Sequence, residues 1–123
     1  MNKRSLKDLP DTMLHNRRVL VRVDYNVPID KGVVGDDKRI RETIPTLEYL
    51  TSRKARVVLM AHLGRPKGKW NDEFSLEPVA DHLRKLVDVP VHFVADVVGP
   101  TAKSAADSLK AGEILLLENM RFL

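Results

Sequence analysis

The chain has 123 residues, of which 43% are hydrophobic and 31% charged, a composition typical of one globular domain rather than of a disordered or fibrous protein. Its 21 Lys and Arg residues exceed its 17 Asp and Glu residues to give a net charge of +4, which favours an anionic partner only weakly. Because the chain has no cysteine and no apolar run near ~18 residues, we exclude disulfides, thiolate metal sites and a membrane span, and we expect a reducing, cytoplasmic location.

The first two predicted elements are a strand and a helix. Arg18–Val23 (RVLVRV) is rich in β-branched and apolar residues, which indicates a strand. The helical pattern that follows contains Pro45, so this helix either begins near Thr43 or is kinked at the proline, and the sequence leaves both alternatives open. The apolar positions of the helix recur every three or four residues and are Ile40, Ile44, Leu47 and Leu50.

Three further strands are predicted in the rest of the chain. Arg56–Met60 and Val91–Val94 are short segments rich in β-branched residues. Ile114–Leu117 is apolar at every position, which is typical of a strand buried on both faces of a parallel sheet.

Two helices are predicted between these later strands. Ser75 is the predicted N-cap of the first helix, and Gly99-Pro100 opens the second, which Gly112 is predicted to close. Each helix has an apolar face. These faces are formed by Leu76, Val79, Ala80, Leu83, Leu86 and Val87 in the first helix and by Ala102, Ala105, Ala106 and Leu109 in the second.

The alternation of strands and helices predicts the fold class. It indicates βαβ units, and therefore a three-layer α/β fold with a mostly parallel, Rossmann-like sheet and helices on both faces. The last predicted strand is followed only by residues 118–123, with no helix to cover it. We therefore expect the fold to be incomplete at the C-terminus.

Polar side chains follow each predicted strand, at the edge of a parallel sheet where ligands bind. Arg65 and Arg121 lie there, and Arg39 lies near the start of the first helix. Because a guanidinium group matches the geometry of phosphate and carboxylate groups, the sequence favours an anion site, although solvated strand ends would show the same pattern. The other polar residues after the strands are Asp24, Asn26, His62, Asp96, Glu118 and Asn119.

Motifs of other chemistries do not fit the chain. The loop GRPKGKW differs from a phosphate-binding P-loop because Gly64 and Gly68 are one residue too close. The four histidines lack metal-ligand spacing, and His82 is interpreted as a surface side chain within a helix. The basic run from Arg53 to Lys69 leaves a non-catalytic anion- or nucleic-acid-binding module as the alternative function, but only 5% of residues are aromatic, which leaves few platforms for base stacking.

Five segments resemble the phosphoglycerate kinase family, in the family's order and with its spacing. They are RVLVRVDYNVP, DDKRIRETIPTLEYL, VVLMAHLGRPKG, SLEPVADHL and LLLENMRF. The resemblance covers nearly the whole chain but only the first part of the family's N-terminal domain. It implies that residues 1–123 form a partial N-terminal 3-phosphoglycerate-binding domain and that the nucleotide-binding domain is absent.

The resemblance also implies an activity and its partners. Phosphoglycerate kinases are glycolytic enzymes that transfer a phosphoryl group reversibly between ATP and the carboxylate of 3-phosphoglycerate, giving 1,3-bisphosphoglycerate. Mg-ATP or Mg-ADP would be bound by the missing C-terminal domain, so we expect this segment alone to be inactive. We expect no nucleic acid and no membrane as partner, and a monomer when the protein is complete.

The resemblance further assigns roles to individual residues. Arg39 resembles the family's catalytic arginine, and Asp24 and Asn26 resemble ligands of the substrate's hydroxyl and carboxylate region. The alternative for Arg39 is a helix-surface residue paired with Asp36 or Glu42. The basic patch that holds the substrate's phosphate would include His62, Arg65 and Arg121. The departures from the family pattern, none of them at a proposed contact, are Tyr25, Ala61 and Met120.

Overall fold

Strands and helices alternate along the chain in a computed structural model that describes residues 15–30, 33–62, 75–97 and 99–119. In chain order the elements are β1 (Arg18–Asp24), β2 (Ile29–Asp30), β3 (Val33–Val34), α1 (Lys38–Ser52), β4 (Arg56–His62), α2 (Glu77–Arg84), β5 (Val91–Val94), α3 (Pro100–Ser108) and β6 (Ile114–Leu117). All four predicted strands are present. β1 and β4 each run slightly further than predicted, because their pairing continues to Asp24 and His62.

Four of the strands form one parallel sheet in the order β1, β4, β6, β5. The remaining two, β2 and β3, form a separate antiparallel pair. Because all four strands of the sheet run in the same direction, their carboxyl ends meet at one edge. The register places the backbone of Asp24 beside that of His62 at this edge. The predicted parallel sheet is confirmed.

Helices cover both faces of the sheet, which confirms the three predicted layers. Ile114 and Leu116 of β6 belong to the larger core, together with apolar residues of α1 and α2. Leu115 and Leu117 face the other way and pack with α3. This two-sided burial explains why β6 is apolar throughout. In the ranges that the structure describes, no helix is both long and apolar enough to cross a bilayer.

Helix α1 continues through Pro45, so a helix start near Thr43 is wrong. A proline inside a helix costs ~3 kcal/mol because it removes one hydrogen bond and clashes with the preceding turn. Ile40, Leu47 and Leu50 are completely buried on the core side of α1. Since burying each such side chain contributes ~1.5–3 kcal/mol, their packing together outweighs the cost of the proline.

The predicted Ser75 cap of α2 is wrong by one residue. The N-cap is Leu76, which makes no side-chain hydrogen bond to the helix, and α2 ends at Arg84, before two of the predicted apolar residues. The Ser75 hydroxyl accepts the Glu77 N–H at 3.2 Å and donates to a carboxylate oxygen of Glu118 at 2.7 Å. Ser75 therefore joins the start of α2 to the end of β6.

The predicted end of α3 at Gly112 is also wrong. The helix opens at Gly99-Pro100 as predicted, but its C-cap is Leu109, whose backbone is extended. Gly112 lies in the turn before β6 with a φ of 82°, a conformation that favours glycine. Its N–H donates to the carbonyl of Ala55 at 2.8 Å, so this glycine joins the turn to the start of β4.

Candidate anion-binding site

The segment from Asp24, the last residue of β1, to Val27 buries every second side chain. Tyr25 and Val27 are buried, whereas Asp24 and Asn26 are exposed. This alternation continues the side-chain pattern of a strand beyond the end of β1. Asp24 and Asn26 therefore lie on the open side of the segment, as expected of residues that contact a ligand.

A hydrogen bond from Tyr25 fixes this segment to α1. Thr43 Oγ1 donates to the carbonyl of Ile40 at 2.7 Å, which uses its only proton. The Tyr25 hydroxyl, 2.7 Å from the same oxygen, is then the donor to Thr43. Desolvation by burial raises the pKa of Tyr25 to about 12.

Asp24 and Arg39 form an ion pair at the carboxyl edge of the sheet. Arg39 Nη1 donates to Asp24 Oδ2 at 2.8 Å, and the Asn26 backbone N–H donates to Asp24 Oδ1 at 3.1 Å. The partner of Arg39 is therefore Asp24 rather than Asp36 or Glu42. The side chains of Arg39 and Asp24 are 51% and 58% exposed, so the pair adds little stability. It orients the guanidinium while leaving about half of it accessible to a ligand.

An open depression of about 340 Å³ lies between this segment and the start of α1. Its lining combines two cationic with two acidic side chains, so it carries no excess of positive charge of its own. An anion bound there would need further cations from neighbouring parts of the protein. The lining residues are Asn26, Val27, Pro28, Asp36, Lys38, Arg39 and Glu42.

The predicted sources of those further cations are His62, Arg65 and Arg121. The backbone of His62 ends β4 beside Asp24, at the edge where the ion pair with Arg39 lies. The side chain of His62 and the whole of Arg65 and Arg121 lie outside the described residues. Their proposed contacts with substrate therefore stay predictions.

Asp96, which follows β5, uses its carboxylate to hold the start of α3. It accepts the N–H groups of Val97, Gly99 and Ala102 at 2.8, 3.2 and 3.0 Å. These hydrogen bonds, led by the one from Ala102, hold the pKa of Asp96 below its usual value. Its place three residues before Gly99-Pro100 is a capping signal that the sequence analysis missed.

Glu118, which follows β6, is also used within the fold and is only 1% exposed. Its Oε1 accepts the N–H groups of Leu76 and Asn119 at 2.7 and 2.9 Å, and its Oε2 accepts the Ser75 hydroxyl. This carboxylate thus connects the end of β6 to the first turn of α2. Two of the polar residues that follow strands are structural rather than ligand-binding.

The interpretation of His82 as a surface side chain is wrong. His82 Nε2 lies 2.8 Å from Asp37 Oδ2, and the two side chains are 22% and 21% exposed. Arg41 Nε donates to the same oxygen at 2.8 Å. The hydrogen bond from His82, helped by Arg41, holds the pKa of Asp37 below its usual value. No local pattern predicts this contact, because 45 positions separate the two residues.

The described residues also bear on metal binding. The ranges 15–30, 33–62, 75–97 and 99–119 contain no group of three or more His, Cys, Asp and Glu side chains that could hold a metal ion.

A family model for phosphoglycerate kinase matches residues 9–123 of the chain. The chain belongs to the phosphoglycerate kinase family. A phosphoglycerate kinase from Moorella thermoacetica is 57% identical over 122 residues, and one from Herpetosiphon aurantiacus is 50% identical over 123 residues. Each alignment covers 99% of this chain, and the chain spans 30% of the length of each relative.

Solved structures of phosphoglycerate kinases share the fold. The crystal structure of the enzyme from Pyrococcus horikoshii matches 96% of this chain with a TM-score of 0.84 at 34% identity. The structure from Coxiella burnetii matches 95% with a TM-score of 0.75 at 38% identity. In each case 28% of the solved chain is covered. The predicted family and fold class are thus confirmed.

Proposed function

We propose that this chain forms the triose-binding part of a phosphoglycerate kinase. In the longer protein it would contribute to reversible phosphoryl transfer between ATP and the carboxylate of 3-phosphoglycerate, giving 1,3-bisphosphoglycerate. The observation that carries the proposal is the Asp24–Arg39 pair, which presents an oriented, half-exposed guanidinium at the ligand-binding edge of a parallel sheet. Membership of the kinase family supports it.

The chemistry of this reaction suits the side chains of the site. The nucleophile is a carboxylate that is already ionised at neutral pH, so the protein need not supply a general base. The protein must instead align the reacting oxygens and neutralise the charge of the transferring phosphoryl group. The Arg39 guanidinium has five N–H donors, and one Nη1–H is directed at Asp24. The other donors are the ones that we assign to the phosphoryl oxygens.

The remaining contacts follow from the same assignment. Asp24 accepts a hydrogen bond from the substrate hydroxyl while it orients Arg39, and Asn26 contributes a second polar contact on the open side of the segment. His62, Arg65 and Arg121 provide the positive charge that the described depression lacks, and they hold the substrate's phosphate. Mg-ATP or Mg-ADP is bound as substrate by another domain of the longer protein, which we place in the cytoplasm as a monomer.

The proposal is tested by replacing Arg39 in a full-length phosphoglycerate kinase that contains this segment. Arg39→Ala should lower kcat about 10³-fold or more, because an arginine aimed at a transferring phosphoryl group contributes on that scale. Arg39→Lys should recover little activity, since an ammonium group cannot reproduce the planar fork. The melting temperature should hardly change, because the Asp24 pair is exposed.

Arg18→Ala is the matched control for this experiment. Arg18 also lies in an exposed ion pair, 2.9 Å from Asp107, but at the opposite end of β1. Its removal should leave kcat close to the wild-type value. A near-normal kcat for Arg39→Ala would end the proposed catalytic role, and a large loss of stability would make Arg39 a structural residue instead.

A further inference from the structure

The hydrogen bond between His82 and Asp37 joins two helices that are seated on different strands. Helix α1 packs on β1 and β4, whereas α2 packs on β5 and against β3. Asp37 immediately precedes α1, and His82 lies on α2. Their 2.8 Å contact therefore connects two helices that pack on different strands. Both side chains are mostly buried. The contact is therefore a polar connection between α1 and α2 rather than a bond within one element.

Asp37 occupies the N-cap position of α1 without acting as a side-chain cap. An aspartate at this position ordinarily accepts the N–H of the second or third helical residue. The Asp37 carboxylate makes no such bond, and its Oδ2 instead receives His82 and Arg41. Such a departure from the usual N-cap hydrogen bond is expected mainly at functional positions, and this one lies beside the candidate anion-binding site.

Arg39 lies close to this contact along the chain. Arg39 lies two positions after Asp37, in the first turn of α1, and its guanidinium reaches back to Asp24 on β1. The turn is held on the sheet side by Ile40, which is completely buried. On the α2 side, Asp37 at the start of the turn is bonded to His82. His82 is not among the described residues that line the depression beside Arg39, and its hydrogen bond to Asp37 is what connects it to this turn.

We propose that His82, through Asp37, is a positioning residue for the phosphoryl-contacting guanidinium of Arg39. His82 donates its Nε2–H to Asp37 Oδ2, and this bond fixes the first turn of α1 so that Arg39 reaches the transferring group in the transition state. The inference rests on the proposed function, because Arg39 must act on phosphoryl transfer for its position to matter. An error of about 1 Å in such a contact can lower the rate 10²-fold.

The test compares variants of His82 in a full-length phosphoglycerate kinase that contains this segment. His82→Leu should lower kcat about 10- to 100-fold while the KM for 3-phosphoglycerate stays nearly unchanged, because ground-state binding depends on other residues. His82→Gln, whose amide N–H can occupy the place of Nε2–H, should restore most of kcat. If His82→Leu does not fold, His82→Asn replaces it, since the shorter amide retains polarity but falls short of Asp37.

Arg84→Ala is the matched control on the same helix. Arg84 Nε donates to the carbonyl of Val91 at 2.8 Å, so it connects α2 to β5 and not to α1. Its removal should lower the melting temperature without lowering kcat. Equal losses of kcat in His82→Leu and Arg84→Ala would mean that any loosening of α2 has the same effect, and the proposal would be wrong.

A double substitution separates this proposal from the proposed function. With Arg39 already replaced by Ala, His82→Leu should cause no further loss of kcat, because nothing remains to be positioned. Independent, multiplicative losses would overturn the positioning role while leaving the catalytic role of Arg39 intact. A near-normal kcat for Arg39→Ala alone would refute both, and it would do so before His82 is considered.

Discussion

Removal of the Tyr25 hydroxyl should have opposite effects on stability at neutral and at strongly alkaline pH. In Tyr25→Phe the ring stays buried, but Thr43 Oγ1 loses the proton that Tyr25 donates to it. The lost hydrogen bond should cost about 0.5–1.5 kcal/mol of unfolding free energy at neutral pH. Thr43 keeps its bond to the carbonyl of Ile40, so the first turns of α1 remain formed.

The alkaline effect follows from the pKa of Tyr25, which burial raises from 10.0 to about 12. Between these two values the unfolded chain has lost the tyrosine proton and the folded chain has kept it. The stability that the protonated Tyr25 hydroxyl contributes is therefore fully present below pH 10 and is lost as the pH rises from 10 toward 12. Two pKa units correspond to about 3 kcal/mol, which exceeds the cost of the lost hydrogen bond. Above pH 12 the Phe variant should be the more stable protein.

Urea unfolding followed by circular dichroism at a series of pH values measures the pH at which wild type and Tyr25→Phe become equally stable. Only the difference between wild type and Tyr25→Phe is interpreted, because the other titrating groups are common to both. The chain has two tyrosines, and Tyr25→Phe removes one of them. The difference between the ultraviolet absorbance titrations of wild type and variant therefore reports the ionisation of Tyr25. A stability difference that stays constant from pH 8 to pH 12 would show that the hydroxyl is not desolvated, and the reasoning would fail.

Two further predictions concern the structural carboxylates. Glu118→Leu should lower the unfolding free energy by about 1–3 kcal/mol for each buried N–H group that loses this acceptor. Glu118→Gln keeps one oxygen for the Leu76 N–H and should lower it less. Equal losses of unfolding free energy, measured by urea unfolding, would contradict the assigned contacts. Gly99→Ala should lower the melting temperature, because its Cβ would lie 2.7 Å from Asp96 Oδ2, and three N–H groups hold this carboxylate in place through its two oxygens. Gly35→Ala is the control, since its Cβ would meet only ordinary contacts of 3.6 Å and longer, and equal shifts in the two variants would refute the steric argument.

The sequence predicts the layers of this fold better than the ends of its elements. Apolar runs such as Ile114–Leu117 survive as strands because burial on two faces permits few other residues. Local rules fail where tertiary packing outweighs them. Pro45 remains inside α1 because three buried side chains hold the helix to the sheet. Ser75 lies one residue before the N-cap of α2, where it bonds both to the Glu77 N–H and to Glu118.

The candidate site is only partly predictable for a related reason. Asp24 and Arg39 are identified from position and family resemblance, but their 2.8 Å pairing depends on how α1 lies against β1. Asp96 and Glu118 lie at the carboxyl ends of strands, as Asp24 does, yet they bind backbone N–H groups of the fold. A one-dimensional pattern cannot separate a carboxylate proposed to bind substrate, such as Asp24, from one that holds the start of a helix, because both accept hydrogen bonds from nearby donors.

The position of β6 within the sheet has a consequence for the order in which the molecule assembles. β6 lies between β4 and β5, so β5 joins the sheet only after the last described strand has been synthesised and inserted. The pairing of β1 with β4 can form before that, with α1 packed on both strands, because the three elements are neighbours in sequence and in space. The Asp24–Arg39 pair can therefore form early on the ribosome. The restraint that His82 places on the first turn of α1 comes later, when β6 gives β5 and α2 their final seat.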